Sequence, residues 1–221
     1  MRVIAHFSQL ALCSPMPPSQ TDRPTPRKRP KQARSADTVG VIVEAAARIL
    51  ETQGHSSFST NAVASKAGVS IGTLYQYFPN KDAILGALLA RETARLLSGA
   101  EAALEHPIAE EALSGLISAG IEHQFRRPRL ARLLDFEEAR LPLDIATREI
   151  SNEVTEITVR ILGRLDLPID VDKLVAARDV IAIMKGIIDV AGSNAETDPL
   201  AVESRVRRAV FGYLSLDDRR V

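Results

Sequence analysis

The run TNAVASKAGVSIGTLYQYFPNK, Thr60 to Lys81, constrains this chain more than any other segment. Val63 and Ala64 share the inner face of a first short helix, and Ala64 is small enough for a second helix to cross close over it. Gly68 follows the last helical residue, where a left-handed backbone is cheap only without a side chain. Val69 then plugs the corner, and Ser70 is placed to cap the second helix by accepting from the amide of Gly72 or Thr73. Leu74 and Phe78 lie one turn apart and face inward together, while Asn80 caps a third helix that begins at Lys81. Ile71, Gly72, Thr73, Tyr75 and Gln76 are left to point elsewhere. Two short helices at a sharp angle, the second with a hydroxyl- and amide-bearing outer surface, form the layout of a helix-turn-helix. The second helix of that motif enters the major groove of DNA.

The exposed residues suit that task. Ser70 and Thr73 can donate to phosphates at a helix N-terminus, where free amides and the dipole already favour anions. Gln76 can bond adenine in bidentate fashion, and Tyr75 can pack on a thymine methyl or reach a phosphate. Gly72 lets the helix approach the DNA backbone closely. Lys81 opens the third helix and can hold a phosphate by charge and amide together; Thr60 opens the first with the same geometry, and Lys66 lies in the turn region. Thr60 and Ser70 are equally able to act as caps, and Tyr77, next to Phe78, is equally able to lie in the core.

Three pieces carry a family likeness: IVEAAARILETQG (Ile42–Gly54), FSTNAVASKAGVS (Phe58–Ser70) and GTLYQYFPNKDAIL (Gly72–Leu85). From Val39 to Leu89 the chain resembles the DNA-binding domain of the TetR family of bacterial transcriptional repressors. The resemblance implies that Thr73 and Tyr77 hold the DNA backbone and that the long helix from Lys81 links a reading head to a body. It implies a homodimer on a palindromic operator, paired through a four-helix bundle built from the last two helices of each copy. The candidates there are Ile181, Met184 and Ile188 on the penultimate helix and Val206, Val210 and Tyr213 on the last; the same stripes also suit the protomer's own core, with part of each helix facing inward and part facing the partner. It also implies a small-molecule pocket between about Ile108 and Leu165, for which His123, Phe125 and Phe136 are candidate lining residues. An effector bound there would change the spacing of the two heads and lower DNA affinity.

The rest of the chain reads as helix, so the expected fold is all-α: an N-terminal three-helix reading domain joined to a C-terminal helical bundle. Val41, Ile42, Ala45, Ala46, Ile49 and Leu50 recur at helical spacing from Asp37 onward, and Gly54 ends that helix. Further helices are predicted at about 108–126, 129–140, 144–164, 171–191 and 199–214, punctuated by Pro107, Pro128, Pro142, Pro168 and Pro199. Alternating Val/Thr/Tyr runs and Asn-Gly turns are missing, so strands are not expected. The expected divisions are a basic Pro-rich arm over 1–36, the reading domain over 37–85, the ligand and pairing domain over 86–216, and a tail over 217–221.

Charge is balanced overall at 28 basic and 28 acidic residues, but unevenly spread. Through residue 90 there are ten basic residues against five acidic; beyond it there are 18 against 23. A basic front and an acidic back suit a nucleic-acid reader joined to a sensing module. In the arm, Arg23, Arg27, Lys28, Arg29, Lys31 and Arg34 run without an intervening acid, which suits a segment following phosphates or a minor groove. The opening MRVIAHFSQLALC is mildly apolar behind one Arg, yet His6, Ser8 and Gln9 interrupt it. It is expected to be a disordered extension rather than a secretion signal, with Met16 a plausible alternative start.

A lone Cys13 excludes an internal disulfide and any multi-cysteine zinc site, and no apolar run reaches the ~20 residues needed to cross a bilayer. A cytoplasmic setting is expected. No metal or cofactor is expected. The rival readings are a helical enzyme and a regulator that has lost its ligand. For the first, His6, His55, His106 and His123 are scattered, and no HExxH, GxSxG or phosphate loop occurs.

Overall fold

Nine α-helices and one 3₁₀ turn account for the secondary structure of the computed structural model, which describes residues 33–140, 145–167 and 171–215; no strand occurs among them. In chain order these are α1 Ala33–Gln53, the 3₁₀ turn His55–Ser57, α2 Thr60–Ala67, α3 Ile71–Tyr77, α4 Lys81–Leu104, α5 Ala109–Phe125, α6 Pro128–Arg140, α7 Ile145–Leu162, α8 Lys173–Ser193 and α9 Pro199–Tyr213. Each predicted helix is present, with its ends in place or shifted by up to four residues. The main departure is α1, which begins at Ala33, so residues 33–36 are helix rather than part of the arm. The remaining arm, residues 1–32, and the tail 217–221 lie outside the described residues. α4 continues unbroken past residue 85, so no backbone joint marks the expected domain limit there.

Local chemistry sets the helix ends. Asp172 and Asp198 accept from the first free amides of α8 and α9, and Pro199 sits in the first turn, where its missing N–H costs nothing. Between α4 and α5 no larger residue fits: a Cβ on Gly99 would lie 2.8 Å from that of Ala119, and one on Gly115 would lie 3.0 Å from that of Ala103. These helices approach closely because both sides of the seam are small.

Two apolar cores result. The head core holds Ile42, Ala46, Ile49, Leu50, Val63, Leu74, Phe78 and the first turns of α4 (Ile84, Leu85, Leu88), and α6 adds Leu130 and Leu134 to it. The body core is built from α5, α7, α8 and α9 with Ala100 and Ala103 from the far end of α4. α4 therefore belongs to both halves, and α6, which enters the head core, also packs against α5 and α8 of the body.

Charge binds the halves as well. Glu44 on α1 accepts from Arg48, from Arg91 on α4 (3.1 Å) and from Arg127 at the α5–α6 corner (3.2 Å). Arg127 also holds Glu51 at 2.6 Å. Buried Glu92 on α4 receives Arg91, Arg95 and Arg126. Burial pushes both the Glu44 and Glu92 carboxyls up. The neighbouring guanidiniums outweigh it and leave both below the usual carboxylate range. The corner FRRPRLARLL (Phe125–Leu134) thus commits Arg126 and Arg127 to ion pairs.

Candidate nucleic-acid interface

Phe58 is buried in the head core and holds the chain extended into Ser59. Ser59 is therefore the cap of α2, accepting from the amide of Ala62 at 3.2 Å. Thr60, the neighbour for which capping was also open, is instead the first helical residue, and its hydroxyl lies 3.2 Å from the Tyr75 hydroxyl. At the far end Gly68 adopts φ 68°, ψ 26°, and the amides of Gly68 and Val69 close on the last carbonyls of α2. Ser70 then accepts from the Thr73 amide at 3.0 Å and meets the Thr73 hydroxyl at 2.9 Å. Asn80 accepts from the Ala83 amide at 2.8 Å and starts α4. Three side-chain caps and one left-handed glycine thus fix both corners of the motif within 22 residues, Ser59 to Asn80.

Packing then decides what remains outside. Val63, Ala64, Leu74 and Phe78 are buried; Tyr75 is 42% exposed, and Ser70, Gly72, Gln76, Lys66 and Lys81 are exposed. Thr73 and Tyr77 are half-buried, and Tyr77 packs on the head core while keeping part of its ring outside. A Cβ on Gly72 would touch only Ser70 Oγ, at 3.7 Å, so nothing inside the chain demands glycine there. Lys66 belongs to the last turn of α2 rather than to the turn itself. The expected contact residues are brought onto the outer surface of α2, α3 and the start of α4. The free amides of that start and Lys81 Nζ supply positive potential beside α3.

The body places its candidates differently. Val206 and Val210 are 0% exposed and Met184 and Ile188 are buried, all within the protomer's own core. The stripe with helical periodicity is thus the one that folding of the protomer itself consumes. Ile181, Met184 and Ile188 instead line a cavity, together with Leu96, Leu116, Val154, His123 and Gln124. Tyr213 is exposed, and its hydroxyl donates to Asp179 at 2.6 Å, which raises its pKa. Val175 and Val190 on α8 and Leu200 on α9 are exposed as well. His123 reaches the cavity as expected, Phe125 packs against the body core instead, and the Phe136 side chain lies outside the described residues. Gln124 was missed, since nothing in its sequence surroundings separates a buried glutamine from a surface one.

No helix among the described residues is long and apolar enough to cross a membrane. Residues 42–88 match the family model described as bacterial regulatory proteins, tetR family, and residues 109–214 match that of a tetracyclin repressor-like C-terminal domain. The HTH-type transcriptional regulator EthR of Mycolicibacterium smegmatis is 36% identical over 87 residues, 39% of this chain and 40% of that protein. The HTH-type transcriptional repressor KstR of Rhodococcus jostii is 40% identical over 55 residues, 25% of this chain and 26% of that protein. The fatty acid metabolism regulator protein of Bacillus subtilis is 31% identical over 93 residues, 42% and 44% of the two chains. The matches thus span less than half of each of these relatives. Among solved structures, the fatty acid degradation regulator FadR from Bacillus halodurans superposes with a TM-score of 0.69 at 19% identity, covering 86% of this chain and all of that one. At this identity the likeness shows the fold alone.

Proposed function

Because the chain belongs to the TetR family of bacterial regulatory proteins, we propose that it is a sequence-specific DNA-binding transcriptional regulator, a repressor released from a palindromic operator by a small molecule. The observation that carries the reading is the corner geometry. Ser59, Gly68, Ser70 and Asn80 lock α2, α3 and α4 so that Thr73, Tyr75, Gln76 and Lys81 share the outside while Val63, Ala64, Leu74 and Phe78 fill the inside. Gln76 and Tyr75 read base edges; Thr60, Ser70, Thr73, Tyr77 and Lys81 hold phosphates. One such head covers little duplex, so two copies on a two-fold axis read half-sites about one helical turn apart. The pairing surface is the outer side of α8 and α9, where Val175, Val190, Leu200 and Tyr213 are exposed. The body cavity is the effector site.

Fluorescence anisotropy on DNA from the chain's own upstream region tests the reading. Wild-type protein is expected to bind this DNA more tightly than random duplex. Gln76→Ala should change the base preference. Lys81→Ala should weaken binding to all sequences and flatten the log K against log salt slope by about 0.9 for each phosphate that the lysine neutralises. Equal affinity for specific and random duplex would refute it.

A further inference from the structure

The cavity between α4, α5, α7 and α8 has a volume of about 210 Å³. That is smaller than the usual drug-sized site and suits one short, slender molecule. Leu96, Leu116, Val154, Ile181, Met184 and Ile188 make its wall apolar. Two facts make it more than a packing gap. Gln124 lines it at 3% exposure, and its Nε2 is the one buried side-chain nitrogen or oxygen among the described residues with no hydrogen-bond partner. The amide rests against Gly192 of α8, where an added Cβ would lie 2.1 Å from Nε2, so glycine there leaves the carboxamide its room. A buried donor without an acceptor is a standing cost, which a ligand oxygen removes on binding.

The charges around the cavity select among oxygens. Asp135 and Asp189 line it, against Lys185 and His123, and Lys185 already pairs with Asp189 at 3.3 Å. With His123 neutral the lining carries one net negative charge; with it protonated, none. Neither state provides the excess cation that a buried carboxylate or phosphate needs. Resting on the reading of this cavity as the effector site, we infer that it takes a neutral, elongated apolar molecule bearing a carbonyl oxygen, which Gln124 Nε2 holds by donating a hydrogen bond.

The test is calorimetric titration of the full chain with 2-nonanone and with nonanoate, in wild type, Gln124→Leu and Val154→Phe. Wild type is expected to bind the ketone about tenfold or more tighter than the acid. Gln124→Leu should lose about tenfold in ketone affinity, the worth of one buried hydrogen bond. Without ligand the same variant should melt about 3 °C above wild type, because it no longer buries an unpaired amide. Val154→Phe, which fills the wall, should bind neither probe. Nonanoate binding as tightly as the ketone, Gln124→Leu matching wild type for the ketone, or neither probe binding wild type would overturn the inference. If Gln124→Leu fails to fold, the ketone-to-acid ratio in wild type decides. Ketone binding that leaves operator affinity unchanged overturns effector control and leaves this ligand class standing. Operator release by nonanoate with the ketone inert does the reverse.

Discussion

Glu92→Gln is the sharpest probe of how the head is held to the body. The carboxylate is 6% exposed and accepts from Arg91 at 2.8 and 3.0 Å, from Arg95 at 2.7 and 2.8 Å, and from Arg126. Glutamine keeps the volume, removes the charge and turns one oxygen into an NH₂ that faces guanidinium donors. Removing one partner of a fully buried ion pair costs roughly 3–5 kcal/mol. Here the orphaned Arg91, Arg95 and Arg126 side chains are 23%, 46% and 37% exposed and regain water, which reduces the loss to about 2 kcal/mol. For a domain of this length that lowers the melting temperature by about 6 °C. Because the arginines hold the Glu92 pKa below its ordinary value, its stabilising contribution is complete above the ordinary value and is lost as pH falls through the lowered one. Thermal unfolding followed by circular dichroism should therefore show the full deficit at about pH 7 and a shrinking one as pH falls below the ordinary carboxylate range and wild type loses the charge as well. A variant melting within about 1 °C of wild type at neutral pH, against the ~6 °C expected, would refute the reasoning. So would a deficit of the same size in acid.

Two further perturbations address the corner and the pairing surface. At Gly68, φ is 68° and an added Cβ would meet nothing within 4 Å, so Gly68→Ala costs only the left-handed backbone, about 1 kcal/mol and about 3 °C in melting temperature; Gly68→Asn should recover part of it. An unchanged melting temperature in the alanine variant would contradict the corner geometry. Val190→Glu, on the exposed outer side of α8, should give folded monomers with weak operator binding, whereas Val210→Asp, at 0% exposure, should unfold the protomer. Sedimentation and circular dichroism separate the two, and a Val190→Glu dimer as tight as wild type would remove the assigned pairing surface.

Local signals were legible because they act within a turn or two. Gly54 and Gly68 take the positive φ that only glycine adopts cheaply, and Ser70, Asn80 and Pro199 stand where helices begin. The cap at Ser59 rather than Thr60 was not legible. Adjacent hydroxyls compete, and the choice is made by Phe58, whose burial fixes where the extended backbone stops. The arginine network lay beyond reach for a different reason: Glu44 meets Arg91 and Arg127 across 47 and 83 residues, separations at which only the packed fold sets distance. On α9 periodicity reports one apolar stripe, and Val202, Val206 and Val210 of that stripe are consumed by the protomer. The apolar residues left exposed on α8 and α9, Val175, Val190 and Leu200, are scattered and produce no periodic signal.

The position of α6 limits how the proposed effector can act. Leu130 and Leu134 are buried in the head core, and one turn further on Glu137, also buried, accepts from His55 Nδ1 at 3.1 Å in the 3₁₀ turn. Asp135 of the same helix lines the body cavity. Peeling both leucines from the head would cost about 3–6 kcal/mol at the usual worth of a buried apolar side chain. The coupling between two sites in one protein is typically about 1–3 kcal/mol. A ligand contact at Asp135 therefore lacks the free energy to separate α6 from the head, and the head must travel with the helix. Tightly packed helices move as units rather than deform, so a displacement of α6 at the cavity reaches α3 as a rotation of the whole head, and the Arg91–Glu44–Arg127 links turn with it.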